Sequence, residues 1–411
     1  MSQPQSRQGN SLGVIIAAGA FVLAISFGVR AIFGIVLDPM STDLGWPRET
    51  FAFSVALQNI VWGLAQPVFG AVADRVGDRK AMWIGFGFYA AGMVLSGLGT
   101  TPFAQHMGAG VLVGLGISGT AFGLVLAVVG RAAPPEKRSQ ALGLTAAFGG
   151  LGQLVMPLVA QWLVREWDWQ VAVLGCGLFL LPIALCIPLL KAGVSRTEVG
   201  TPQPTMPLGE LLRTALTHRS YLLLVAGFFV CGYHLAFIST HFPAYVAEMC
   251  VSLSPDDAVA LGAAAISIIG AANVIGTFAA GKLGAMFPKP YVLSAIYALR
   301  ALAIVVFISL PVTPASVIAF SAAMGVLWLS TVPLTSGLVA TMFGPANMGT
   351  LYGIVFLSHQ VGSFVGVWMG GRVYDLYGSY DLVWWLGIAL GVASAIVHLP
   401  VKEREWSPAP A

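Results

Sequence analysis

Two arginines stand inside long apolar stretches of this 411-residue chain, as do histidines that include His234, His241 and His359, and no aspartate or glutamate stands there with them. All seventeen acidic residues fall at the ends of those stretches or between them, with Asp38 and Glu248 nearest to the apolar interior. An arginine at the centre of a membrane helix costs roughly 2.5–3.5 kcal/mol on insertion scales, so such residues normally face a cavity or a partner. Arg30 has no buried acid to pair with. An anion brought from outside the protein is then its natural counter-charge, because a planar guanidinium gives a carboxylate two parallel hydrogen bonds. The alternative for Arg30 is snorkelling toward the nearer surface. Arg300 lies closer to mid-depth, where snorkelling is harder, so that a ligand role and a structural bond to a neighbouring helix are its alternatives.

His234 and His241 are seven residues apart, two helical turns, and share a face with Ile238 between them and Tyr245 one turn beyond. His359 lies at mid-depth, with Tyr352 seven residues earlier on the same face. Histidine titrates near neutral pH, which makes His234, His241 and His359 the candidates for carrying a coupled proton, against the alternative of hydrogen-bonded packing. Asn59 and Gln66 also share a face. Tyr233, Trp328 and Gln360 are candidates for lining an aromatic pocket, although tryptophan and tyrosine are equally expected as packing or interfacial anchors. Interhelical hydrogen bonding, about 0.6 kcal/mol on average, is the default for polar residues in such helices. No acidic ligands accompany the histidines, so no metal is expected. Cys176, Cys186, Cys231 and Cys250 occur singly, without the close pairing of a metal or redox motif, and read as small apolar packing residues. No Gly-x-x-x-x-Gly-Lys loop for phosphates occurs, and no cofactor is expected.

The elements that must hold these residues follow from composition. The chain is 57% hydrophobic and 9% charged, whereas soluble domains carry about 25% charged residues. Apolar runs of about 20 residues, the thickness of a bilayer core, recur along its length. Six are expected over Leu12 to Leu37, Phe51 to Ala73, Lys80 to Thr101, Phe103 to Gly130, Gln140 to Val164 and Trp169 to Leu190. Six more cover Tyr221 to Val246, Ala258 to Gly281, Pro290 to Leu310, Pro314 to Met342, Met348 to Gly370 and Tyr380 to Leu399. The first run is too long for a signal-peptide core and is expected to stay uncleaved. Fifteen lysines and arginines fall on the side of the two tails and three (Arg48, Arg165, Arg372) on the other. That asymmetry predicts a multi-pass protein of the cytoplasmic (inner) membrane with both termini in the cytoplasm.

The longest polar stretch, Lys191 to Ser220, contains Pro202, Pro204 and Pro207. It divides the chain into a six-helix bundle at 1–190, a cytoplasmic linker at 191–219 and a second six-helix bundle at 220–411. The halves echo each other. Gly284 follows Gly77 by 207 positions, while Gly353 and Gly362 follow Gly143 and Gly152 by 210. Duplicated six-helix units bind their solute between the halves, near the midplane.

The segment GAVADRVGDRK, with Gly70, Asp74, Arg75, Gly77, Arg79 and Lys80, resembles the loop signature of the major facilitator superfamily. The resemblance implies a conformational role for these residues: Asp74 ends a helix and pairs with a neighbouring helix terminus and basic side chains, clamping one alternating-access state. Asp78 stands where that family usually has a base, and the second copy is degraded, with Gly281 at the acidic position followed by Lys282 and Gly284. More narrowly, SFGVRAIFGIVL, EKRSQALGLTAAFGGLG and GRVYDLYGSYDLVWW are similar to the monocarboxylate-transporter branch. This similarity sets Arg30 where the branch has a substrate-linked lysine. It sets Asn273 and Thr277 where characterised carboxylate carriers have an aspartate and an arginine, so their acid–base pair is absent.

The implied fold is all-α, with twelve transmembrane helices in two pseudo-symmetric bundles. The implied activity is secondary active transport of a small organic anion, a carboxylate, by alternating access, with symport of a proton through histidines. Expected substrate contacts are Arg30, Asn59, Tyr233, His234, Asn273, Thr277, Trp328, Tyr352, His359 and Gln360. The alternative within transport is efflux of amphiphilic or drug-like compounds. A solute receptor that signals without flux is disfavoured by the short tails and linker, and an enzyme by the lack of any intramembrane carboxylate or Ser-His-Asp arrangement. Partners are expected to be the organic anion and the lipid bilayer, without nucleic acid, the chain acting as a monomer.

Overall fold

A computed structural model describes residues 10–191, 207–344 and 347–404, and among them there is no β-strand. Twelve helices are long and apolar enough to cross a membrane. Spans one to six are Leu12–Asp43, Arg48–Ala73, Asp78–Leu98, Pro102–Ala132, Ala141–Glu166 and Trp169–Leu189. Spans seven to twelve are Arg219–Met249, Pro255–Met286, Lys289–Ile308, Pro314–Phe343, Thr350–Tyr377 and Asp381–His398. Every expected apolar run is a helix, but spans one and seven run beyond their apolar limits to take in Asp38 and Glu248. Both carboxylates are paired with Arg48. Of the expected linker, residues 192–206 lie outside the described residues. Its last part is a short helix, Leu208–Thr217, that buries Leu211 and Ala215.

Two apolar cores result, one for each set of six spans. The first is built around Phe33, Phe51 and Tyr89, the second around Phe228, Tyr297 and Trp384. The repeated glycines explain how each set closes. Gly152 of span five lies against the Ala24 carbonyl of span one, and Gly362 of span eleven lies against the Phe229 carbonyl of span seven. Each lets two backbones approach where any side chain would collide, the usual device of membrane helix pairs. Gly77 carries φ 91° between spans two and three, a backbone conformation that glycine adopts without steric cost.

Both halves also interrupt the same span. Span four stops at Thr120 and resumes at Phe122, with Ala121 extended. Span ten stops at Leu327 and resumes at Thr331. Trp328 follows Ala121 by 207 positions, the spacing that separates Gly77 from Gly284. The described ends of the chain meet on one face, where the Asn10 amide donates to Lys191 O (3.3 Å) and the Lys402 amide to Ser220 Oγ (3.1 Å). This is called the termini face below.

Candidate substrate site between the two halves

Arg30 occupies the last turn of the first helical segment of span one, which ends at Ala31 before restarting at Phe33. Its guanidinium turns onto span two: Nε donates to Gln58 Oε1 (3.2 Å) and Nη2 to Asn59 Oδ1 (2.6 Å). Both amides are oriented by a bond on their other side. Gln58 Nε2 donates to the Ala109 carbonyl and Asn59 Nδ2 to the Val55 carbonyl, each at 2.8 Å, which leaves their oxygens toward the arginine. The Trp62 ring lies 5.4 Å from the guanidinium carbon, within range of a cation–π attraction. No ion pair among the described residues involves Arg30. Neutral amides hold its position but leave its charge uncompensated.

Beside Arg30 a small cavity opens between the halves, walled by Gln58 and Gln153 from the first and by Thr240, Ile269 and Trp328 from the second. Its volume is about 20 Å³, space for roughly one water. It is closed on both sides. Toward the face opposite the termini, Gly34 abuts the Ser239 carbonyl, and beyond it lies an ionic cluster that joins the halves. Arg48 is bonded to Asp38 of its own half and to Glu248 of the other, donates to Tyr380 Oη (3.1 Å) and lies 4.0 Å from the Tyr374 ring centre. Asp375 accepts from the amides of Arg48 (3.0 Å) and Glu49 (2.7 Å), and Arg372 pairs with Glu49 (2.9 Å).

Toward the termini face, rings take over. Phe122 and Trp62 flank Phe27 at 4.8 and 6.0 Å, and Trp62 meets Phe356 of the second half edge-on at 5.1 Å. Past this layer the halves part. Gly63 is pressed against Gln360 and Leu357, and Gly150 against Asn273, but a methyl group placed two turns further along those faces, at Gly70, Gly143 or Gly353, meets no atom within 4 Å. The cavity is therefore occluded, behind the ionic cluster on one face and behind the ring layer on the termini face, beyond which the halves diverge.

Of the expected contacts, the structure brings Asn59 and Trp328 to Arg30 and its cavity. Gln360 lies alongside, against Gly63, and its Oε1 meets Nδ1 of His359 at 3.0 Å. His359 also stacks on Phe356 (5.9 Å), so it adjoins the aromatic layer. His234 and His241 do share a face, but it is turned into the second half. Nε2 of His234 meets the Gly387 carbonyl (2.7 Å), and Nε2 of His241 meets that of Val367 (2.8 Å). Tyr233 donates to the Val383 carbonyl (2.9 Å), and Tyr352 packs on Phe228 (6.3 Å). These four are drawn inward because each faces a ring or a carbonyl of the second bundle, and none lines the cavity.

Asn273 and Thr277 are bonded to each other (3.1 Å), and Asn273 Oδ1 also accepts the Leu329 amide of the span-ten break (3.0 Å). Arg300, fully buried, donates from Nε to the Leu327 carbonyl (3.1 Å) and from Nη2 to the carbonyls of Leu327 and Trp328. Gln66 accepts from the Trp62 indole at 2.9 Å.

In the expected gating segment, Arg75, Arg79 and Lys80 are exposed, and the Asp74 side chain lies outside what is described. The pair formed there is between Asp78 and Arg131 (2.6 Å), both of the first half. On the opposite face an ionic cluster joins the halves at Arg48. Sequence reasoning passed over Arg48 although a signal existed: it is one of three basic residues on that side, and Asp38 and Glu248 are the acids nearest to hydrocarbon. Gln58 and Gln153 were passed over as well. Gln58 is adjacent to Asn59 and needs only a long side chain to reach the same guanidinium.

The Major Facilitator Superfamily profile matches residues 19–367. Among curated relatives, Monocarboxylate transporter 13 of Bos taurus is 25% identical over 374 residues, covering 89% of this chain and 84% of that protein. Monocarboxylate transporter 11 of Mus musculus is 24% identical, covering 92% and 85%. A Bacillus subtilis protein described as uncharacterized MFS-type transporter YcxA is 24% identical, covering 94% of both chains.

Proposed function

The chain belongs to the Major Facilitator Superfamily, and we propose that it is a secondary transporter that carries a small organic anion, of the carboxylate class, between its two halves. The observation that supports this reading is the uncompensated guanidinium of Arg30 in the cavity between the halves, held by two oriented amides. A carboxylate supplies the missing charge and a planar partner for the guanidinium. The names of the mammalian relatives point to the same solute class. The charge asymmetry of the sequence favours the termini face as the cytoplasmic one, which makes the described state an occluded one whose halves diverge on the inner side. Alternating access then requires the Arg48 cluster to part while the termini face closes. Of the histidines, His359 is the one placed to couple a proton to this movement, since it stacks on the ring layer beside the site.

The test is uptake into proteoliposomes of a radiolabelled carboxylate panel, with and without a pH gradient. Arg30→Gln is expected to weaken apparent affinity by more than tenfold, and Arg30→Lys, which keeps the charge but not the fork, by less. Unchanged affinity of Arg30→Gln for every transported carboxylate refutes the reading. Faster movement of uncharged amphiphiles than of carboxylates favours the efflux alternative, for which the ring layer beside Arg30 is the supporting feature.

A further inference from the structure

Span ten breaks where it passes the Arg30 cavity. The break leaves the carbonyls of Leu327 and Trp328 and the amide of Leu329 without helical partners, inside a membrane that offers none. Two side chains from neighbouring spans meet all three groups. Arg300 of span nine takes both carbonyls, and Asn273 of span eight takes the amide. The arginine also faces the C-terminal, negative end of the half-helix Pro314–Leu327, which favours a cation there. The same half-helix is wedged onto span eight, with Gly276 against the Val326 carbonyl and Gly325 against Ile269 and Ala272. Neither Arg300 nor Asn273 lines the cavity, but Trp328, the first residue of the break, does.

We propose that Arg300 and Asn273 are positioning residues for the solute site, fixing the span-ten break so that Trp328 forms a wall of the Arg30 cavity and limits the length of carboxylate it accepts. This rests on the reading of that cavity as the substrate site. Arg300 thereby acts on transport without touching the solute, and Asn273 contributes an acceptor for a main-chain amide.

The experiment has two arms. In the first, the full chain is labelled with 5-fluorotryptophan in nanodiscs, and the Trp328 resonance is identified by its loss in Trp328→Phe. It is expected to move in both Asn273→Leu and Arg300→Lys. Asn273→Leu is nearly isosteric and keeps the protein testable should Arg300→Lys fail to fold. In the second arm, the straight-chain carboxylates from acetate to hexanoate are compared in proteoliposomes. Asn273→Leu is expected to raise KM roughly tenfold for the shorter acids, as befits one lost hydrogen bond, and to relax discrimination against the longer ones. Introduced into Trp328→Ala, it is expected to add nothing, because both changes act through one side chain. A stationary Trp328 resonance in Asn273→Leu, or additive effects on KM, overturns the proposal. A moving resonance alongside an Arg30→Gln transporter of unchanged affinity refutes the substrate reading and leaves the positioning of span ten standing.

Discussion

Span four in the first half and span ten in the second are interrupted at matching places, at Ala121 and at Trp328–Ser330, yet the halves hold their interruptions with different chemistry. At Ala121 one residue leaves the helix, and its amide still reaches the Ile117 carbonyl at 2.9 Å. Neutral hydroxyls hold the rest. Ser26 donates to the Thr120 carbonyl (3.1 Å), and Tyr89 donates to the Ser26 carbonyl (2.8 Å). Span ten loses three residues from its helix, and a guanidinium is needed to reach the two exposed carbonyls. Two intramembrane arginines therefore have opposite fates. Arg300 is turned through Nε and Nη2 onto the backbone of its own half, whereas Arg30, in the half whose break is short, stays available to the cavity. Residue type does not distinguish them; the number of main-chain groups left unpaired nearby does.

Substitutions can break or sharpen this contrast. The largest effect is expected from Arg300→Leu, which strands two buried carbonyls at about 1–3 kcal/mol each. Thermal unfolding in detergent should show a large loss of stability, and an unchanged unfolding temperature would mean that the break does not depend on Arg300. Arg30→Gln should split the other way in the same two assays, with stability near that of the parent and solute affinity down by an amount worth about 1.4 kcal/mol or more. If it destabilises as much as Arg300→Leu, the two arginines are structural alike. Gly276→Ala comes next. Its methyl meets the Val326 carbonyl at the edge of the break and should cost about 1–3 kcal/mol as overpacking, read as lower stability together with a shifted KM. The smallest change is expected for Ser26→Ala, at most about 1 kcal/mol for a neutral bond inside a membrane protein, with affinity intact.

How much of this the sequence carries depends on the distance over which a feature is decided. The twelve spans are legible because hydropathy over about 20 residues is a local property, and the 210-residue recurrence of Gly152 and Gly362 does correspond to the same close approach in each half. Arg30 and Asn59 are legible as a pair of polar residues on neighbouring apolar helices. The breaks are less so: Trp328, Leu329 and Ser330 include neither glycine nor proline, and although Pro333 cannot donate to the Leu329 carbonyl four residues earlier, nothing local announces that Arg300 and Asn273 meet the groups the break exposes. The same holds for His234 and His241: their common face could be read, but the carbonyls of Gly387 and Val367 that engage it come from more than a hundred residues away. The ionic cluster at Arg48 draws on spans one, two, seven, eleven and twelve, a coincidence that no linear spacing announces.

That cluster and the ring layer around Trp62 and Phe356 make the two doors of the molecule physically unlike. Arg48, Asp38 and Glu248 hold their door with charge, over distances that electrolyte screens with a length of about 8 Å at physiological strength. The rings hold theirs by excluding water, an interaction that fades on cooling and hardly responds to simple salt at modest concentration. Added salt should then weaken the closure at one end of the cycle and cooling the closure at the other, so that the step limiting turnover changes identity between a cold dilute medium and a warm saline one.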